Sequence, residues 1–166
     1  MLIHVVLAAW VGAISAMADH RVERCGITFG LPVGWIATVA KVEGNVCEFG
    51  VSPKSRSGRR QAISVSVFRG SIANAEEAGF KKNEAGWFTE GREGVRNQAH
   101  EIRTPCCLAI RGTTDVGRYD DTGYAGSGEM FEAFVVGKGR VAYLASSLEG
   151  DADQAFDPFV LSIRFK

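Results

Sequence analysis

The chain has no excess of charge of either sign. Its 166 residues include 19 Lys plus Arg and 19 Asp plus Glu. General binding to nucleic acid or to an anionic lipid surface depends on an excess of basic side chains, so this balance gives no overall attraction to either. We therefore expect no nucleic-acid partner, and any charged binding surface must be local.

Histidine is scarce, and the motifs that mark common catalytic or metal sites are missing. The sequence has 3 histidines and no C-x-x-C pair, so it offers few of the side chains that bind zinc. Gly126–Gly128 includes a serine but lacks both the G-x-S-x-G spacing of a serine hydrolase and the lysine of a phosphate-binding loop. Asp115, Asp120 and Asp121 lack EF-hand spacing and favour turns. We expect no metal, no cofactor and no catalytic residue.

Long apolar runs are also absent, except at the N-terminus. The stretch Val5–Ala13 is too short to span a membrane comfortably and suits the hydrophobic region of a signal peptide, although no Lys or Arg precedes it. Small residues in Ala16–Ala18 predict cleavage before Asp19. We predict a signal peptide over 1–18, a single domain over 19–166, and a periplasmic or secreted protein with no stable membrane insertion after signal removal. The alternative is a buried N-terminal strand or helix.

All 4 cysteines lie in the predicted mature chain. An even number in an oxidising compartment predicts disulfides, and three pairings are possible. We favour Cys25–Cys47, with Cys106 and Cys107 either joined to each other or left as two thiols; the two cross-linked pairings stay open. Neighbouring residues in a regular strand point to opposite faces, so a bond between Cys106 and Cys107 requires a distorted backbone. Pro105, directly before them, favours such a distortion because it loosens the strand at that point.

The hydrophobic pattern predicts an α+β domain. The alternation of apolar and polar residues from Ala62 to Phe68 is typical of a strand, whereas Ser71 and the alanines after it favour a helix. We predict a single antiparallel sheet of about six to seven strands with helices packed against it. The candidate segments for these strands are 25–31, 35–41, 46–51, 62–68, 95–104, 107–113, 129–136 and 140–147. Helices are predicted over 71–83 and from Asp157, and a loop is predicted over 115–128.

Two segments carry a resemblance to a known family. Phe29–Trp35 has the sequence F-G-L-P-V-G-W, and Phe159–Phe165 has the sequence F-V-L-S-I-R-F. A strand followed by Pro and Trp near the start, and a helix running into S-[IF]-x-F at the end, resemble the PsbP-like fold family. The resemblance implies an antiparallel sheet sandwiched by helices. It also implies a protein that binds proteins rather than an enzyme, and it carries over no binding residue.

Two segments are candidates for partner binding. Arg118, Tyr119 and Tyr124 lie in the glycine-rich segment predicted as a loop, and Arg and Tyr are enriched at binding hot spots. The other candidate is a small basic cluster that could recognise an acidic partner. It consists of Lys54, Arg56, Arg59 and Arg60.

These features predict a small exported, non-catalytic domain that binds a protein partner. One form of this hypothesis is a periplasmic immunity protein, which inhibits a toxin enzyme directed at the cell envelope. An alternative is an envelope protein that binds lipid or cell-wall fragments in a pocket lined by Trp35, Trp87 and Phe88. A third is an enzyme in which His100 activates Cys106 or Cys107 as a thiolate nucleophile.

Overall fold

The structure is a computed structural model that describes residues 17–56, 61–91, 94–148 and 152–166. Most of the predicted signal peptide, residues 1–16, lies outside the described residues, and so do Arg59 and Arg60 of the basic cluster.

The described part of the chain forms fourteen strands and one α-helix. The first seven strands are β1 (Met17–Arg24), β2 (Ile27–Pro32), β3 (Trp35–Ala37), β4 (Lys41–Glu43), β5 (Val46–Pro53), β6 (Ile63–Arg69) and β7 (Phe80–Asn83). The others are β8 (Gly86–Glu90), β9 (Arg96–Gln98), β10 (His100–Arg103), β11 (Leu108–Asp120), β12 (Gly123–Gly137), β13 (Arg140–Ser146) and β14 (Arg164–Phe165). The helix α1 is Phe156–Ser162, and short 3₁₀ turns cover Lys54–Arg56 and Ile72–Ala75.

Three antiparallel sheets are formed. The main sheet has the order β10-β11-β12-β13-β6-β5-β3, with β4 also paired to β5. A small sheet β1-β2-β14 and a second small sheet β7-β8-β9 complete the fold. Strand β6 has the period of two that is typical of a strand with one buried face: Ile63, Val65 and Val67 are buried while the residues between them are more exposed.

The two small sheets cover opposite faces of the main sheet. On β12, Ala133 and Val135 belong to a core with β2 and α1, whereas Phe134 between them packs with Phe80 of β7. Because neighbouring residues of a strand point to opposite faces, the main sheet has an apolar core on each side. The core toward β2 and α1 is the larger and includes the stacked pair of Phe29 and Phe49.

The predicted α+β class, a single sheet with helices packed against it, is wrong. The chain is mostly β, and sheets rather than helices cover the main sheet, apart from the short α1. The predicted helix over 71–83 is the main source of the error. Ser71 caps only the 3₁₀ turn Ile72–Ala75, Gly79 adopts φ +91°, and Phe80 then enters β7.

The predicted loop over 115–128 is also wrong. These residues are the far halves of β11 and β12, which pair continuously from Leu108↔Val136 to Asp120↔Gly123 with one irregularity after Arg118. The turn itself is short, and the carboxylate of Asp120 accepts a hydrogen bond from the backbone N–H of Thr122 at 2.8 Å. A helix near the C-terminus is present and begins at Phe156, one residue before the predicted start.

Candidate protein-binding ribbon

The hairpin of β11 and β12 extends beyond the strands on either side of it. Strand β10 pairs with β11 only up to His100↔Arg111, and β13 pairs with β12 only from Ala145↔Glu132. Beyond these points, among the described residues, β11 and β12 form ladder pairs only with each other. We call residues 113–131 the distal ribbon; at about 3.4 Å per residue it is roughly 25 Å long.

Two tyrosines stand together at the tip of the distal ribbon. Tyr119 and Tyr124 are directly opposite in the register, so both side chains lie on one face, and their rings meet edge to face at 5.7 Å and 69°. They are 62% and 66% exposed. Gly117 makes the arrangement possible, because a Cβ there would lie 2.9 Å from the ring of Tyr119. The tip therefore presents a preformed aromatic pair to the exterior.

A cavity of about 460 Å³ lies beside this pair. Its lining includes both tyrosines, Val95, which is itself exposed, and Asp115. The carboxylate of Asp115 accepts a hydrogen bond from Asn97 Nδ2 at 3.1 Å, which connects the ribbon to β9. The cavity thus combines aromatic, aliphatic and acidic groups and is large enough for a side chain of a partner.

Arg118 contacts the body of the protein. Its guanidinium donates a hydrogen bond to the carbonyl oxygen of Leu148, just beyond β13. The side chain runs close over Gly128, where an added Cβ would lie 2.7 Å from Nε of Arg118. Arg118 therefore connects the ribbon to the segment just beyond β13.

The base of the distal ribbon is fixed by a buried carboxylate. Glu132 is 6% exposed, and its two oxygens accept hydrogen bonds from the hydroxyl of Thr114 and the hydroxyl of Tyr143. Burial, the negative charge of Glu132 and this hydrogen bond together raise the pKa of Tyr143 well above its ordinary value. This cluster was not predicted from the sequence, although a lone Glu inside the apolar run from Phe131 to Val136 was a usable signal.

Lys54, the first residue of the basic cluster, directly follows β5 and lies at the same end of the main sheet as the ribbon. Lys54 and the backbone of Arg56 form a 3₁₀ turn directly after Pro53. Gln61, where the described chain resumes, lines a cavity of about 500 Å³ together with Arg118 and Tyr119. The fold thus brings Lys54 of one predicted binding segment to the end of the main sheet at which the other segment lies.

The disulfide predicted between Cys25 and Cys47 is confirmed. The two Cα atoms are 5.6 Å apart. Cys25 lies in the turn between β1 and β2, with Cys47 in β5, so the bond joins a small sheet to the main sheet. The remaining pair, Cys106 and Cys107, are bonded to each other in the turn between β10 and β11.

The cysteine–histidine arrangement lacks a thiol. All four cysteines lie in the described chain and none is free. His100 is exposed at the start of β10. The turn that carries the two cysteines begins at Thr104, four residues later, which is roughly 13 Å along the backbone. The structure therefore does not place His100 beside either Cys106 or Cys107 as a nucleophile.

The three aromatic residues of the small-molecule hypothesis are not brought together. Trp35 packs against the larger core, whereas Trp87 packs against the smaller core on the other face. Phe88 neighbours Trp87 in β8, and its ring lies 4.9 Å from the guanidinium carbon of Arg96. These residues do not line one common pocket.

Within the described ranges, no group of three or more His, Cys, Asp or Glu side chains is placed to hold a metal ion. None of the helices in the same ranges combines the length and the apolar character needed to cross a membrane.

Comparisons with known proteins give one solved structure to report. No protein-family profile and no curated protein matches the chain. The solution structure of cyanobacterial PsbP (CyanoP) from Synechocystis sp. PCC 6803 is similar over 97% of this chain and 98% of that chain, with 14% identity and a TM-score of 0.41. The resemblance to the PsbP-like fold is confirmed to this extent. At a TM-score this low we base no argument about function on it.

Proposed function

We propose that this chain is a non-catalytic domain that binds a protein partner through the tip of the distal ribbon. The observation that carries the proposal is the exposure of Tyr119 and Tyr124, 62% and 66%, although the two rings already pack on each other. Single exposed aromatic residues are common, but a preformed pair beside a cavity is a concentrated binding surface. Because the rings are held before binding, little side-chain entropy is lost when a partner covers them.

The shape of the ribbon favours a concave partner. The aromatic tip of the ribbon can enter a cleft, and Lys54 at the same end of the sheet can meet acidic groups around it. An enzyme with an open active-site cleft has this shape. The more specific form of the proposal is therefore an immunity protein that blocks an envelope-directed toxin enzyme.

Export is part of the same proposal. The Cys25–Cys47 disulfide is typical of proteins that fold in an oxidising compartment. Together with the predicted signal peptide over 1–18, it supports a periplasmic or secreted protein. The location is tested by separating periplasm from cytoplasm and measuring the N-terminal residue of the exported form, which we expect to be Asp19.

The binding surface is tested by site-specific photo-crosslinking in the native cell. A photoreactive residue at Tyr124 should yield one defined adduct, whereas the same residue at Val42, which is 73% exposed in β4 on another part of the sheet, should not. After the partner is identified by mass spectrometry, affinity is measured with the purified pair. Loss of a hot-spot aromatic residue costs at least about 2 kcal/mol, so Tyr124→Ala should weaken binding roughly 30-fold.

The matched control for this affinity measurement is Val42→Ala, which should leave the dissociation constant unchanged. If both substitutions weaken binding equally, or neither does, the ribbon tip is not the interface. Growth of a deletion strain exposed to the partner tests the immunity form separately. Normal growth under that exposure would exclude an immunity role while leaving protein binding intact.

A small ligand remains a second candidate because of the cavity of about 460 Å³ beside the tyrosine pair. Cell-wall fragments and lipids are screened by thermal shift, since a ligand that binds only the folded state raises the melting temperature. A true ligand of this cavity should stabilise the unmodified protein but not Tyr119→Ala. Stabilisation that survives this substitution would place the ligand elsewhere.

A further inference from the structure

The Cys106–Cys107 disulfide lies in a tight turn rather than inside a strand. The last ladder pair of β10 and β11 is Arg103↔Leu108. The backbone N–H of Thr104 then donates to the carbonyl oxygen of Cys107 at 2.9 Å, and that of Cys107 donates back to Thr104 at 3.4 Å. Pro105 and Cys106 are therefore the two central residues of the turn, where the backbone is free of strand geometry.

The two cysteines of this disulfide differ in exposure. Cys106 and Pro105 are exposed, whereas Cys107 is half-buried against the larger core and faces Gly137. The Sγ atom of Cys106 lies 3.3 Å from the carbonyl oxygen of Ile163. A disulfide sulfur carries no hydrogen, but the thiol formed by reduction can donate to this carbonyl.

The two disulfides differ in what they contribute to the fold. Cys25 and Cys47 are 22 positions apart, so their bond closes a long loop and restricts the unfolded chain considerably. Cys106 and Cys107 are adjacent, and backbone hydrogen bonds already close their turn, so their bond restricts the unfolded chain little. Exposed disulfides of this kind are the labile ones.

We propose that Cys106–Cys107 is a thiol–disulfide exchange site that accepts two electrons from an external dithiol. A thiolate of the dithiol attacks Sγ of Cys106, the more exposed residue of the pair, the bond between the two cysteine sulfurs breaks, and Cys107 leaves as a thiolate that takes up a proton. The second thiol of the donor then attacks the donor sulfur in the mixed disulfide. Cys106 is released as a thiol and the donor becomes a disulfide, so atoms and electrons balance.

The test is a redox titration of the purified full chain. Samples are equilibrated in graded ratios of reduced to oxidised dithiothreitol, quenched with acid, alkylated and mapped by peptide mass spectrometry. We expect Cys106 and Cys107 to be half alkylated at a ratio at least about tenfold lower than Cys25 and Cys47, since exposed disulfides have the higher potentials. A single transition for all four cysteines, or opening of Cys25–Cys47 first, would overturn the proposal. So would alkylation of Cys106 and Cys107 without any reductant.

Two double variants provide the controls. Replacing both Cys106 and Cys107 by Ala should abolish the early transition and leave the melting temperature nearly unchanged in non-reducing buffer. Replacing both Cys25 and Cys47 by Ala should leave the early transition in place. If the second variant does not fold, the peptide-resolved titration of the unmodified chain still decides the order. A large loss of stability in the first variant would show that the bond is a structural staple instead.

Discussion

The buried carboxylate at the base of the distal ribbon gives the sharpest prediction. Tyr143→Phe removes one of the two hydroxyl groups that donate to Glu132 and leaves the ring in place. A hydrogen bond to a charged group is worth about 1.5–3 kcal/mol, and the oxygen of Glu132 left without its donor stays buried. We expect the free energy of unfolding to fall by about 2 kcal/mol, which for a domain of this size lowers the melting temperature by about 4–8 °C.

The assay is urea unfolding at pH 7, with Tyr124→Phe as the matched control. That substitution removes the same hydroxyl atom from an exposed ring, so the free energy of unfolding should change by no more than about 0.5 kcal/mol. Equal, small effects of the two substitutions would refute the hydrogen-bonded cluster. Thr114→Val removes the other donor, and the double variant with Tyr143→Phe should deviate from additivity because both donors serve one carboxylate.

The same tyrosine predicts a pH dependence. Because the pKa of Tyr143 is raised in the folded state, its stabilising effect is fully present below the ordinary tyrosine pKa of about 10 and is lost as pH rises toward the folded-state pKa. Above about pH 10, the free energy of unfolding of the unmodified chain should fall by up to about 1.4 kcal/mol per pH unit relative to Tyr143→Phe. If the free energies of unfolding of the two proteins changed in parallel with pH up to pH 11, the raised pKa of Tyr143 would be contradicted.

Two glycines give further predictions. Gly112→Ala places a methyl group 2.8 Å from Cγ2 of Thr89. Such overpacking should lower the free energy of unfolding, measured with urea, by about 1–3 kcal/mol. An unchanged free energy of unfolding would mean that β8 can move away freely. Gly128→Ala displaces Arg118 from its contact with Leu148, so we expect about 1 kcal/mol of destabilisation that disappears when Arg118 is already Ala. Full additivity of Gly128→Ala and Arg118→Ala would show that the two positions do not interact.

Strands were predictable where the side chains alternate, and helices were not predictable from composition alone. Between Ile63 and Arg69 the alternation fixes both the strand and its buried face. The segment after Ser71 has good helix formers, but only Ala75 and Phe80 are fully buried there. Without an apolar face of helical period to bury, pairing of Phe80–Asn83 with β8 wins over local propensity.

The candidate site illustrates a different limit. Tyr119 and Tyr124 were identified from residue type alone, but the glycines around them indicated a loop. In the structure, Gly117 and Gly128 give space to large side chains that lie over them within a regular ladder. Glu132 and Tyr143 are eleven residues apart, on neighbouring strands, and only the register of β12 with β13 brings them together. Local sequence cannot supply that register, because it depends on the pairing of the whole sheet.

The position of β11 separates the two proposed sites. Its 13 residues carry the Cys106–Cys107 turn at one end and the tyrosine pair at the other, a distance of roughly 40 Å along the strand. Substitutions at sites this far apart with no shared contacts are expected to act independently. Tyr124→Ala should therefore weaken partner binding without moving the dithiothreitol ratio at which Cys106–Cys107 opens, and replacing both cysteines by Ala should leave partner affinity unchanged. Both expectations are checked by peptide-resolved redox titration and by affinity measurement on the Tyr124→Ala variant and on the variant without Cys106 and Cys107. A shift of either property by the distant substitution would show that β11 transmits a change between its ends, and the two sites would then have to be treated as one coupled device.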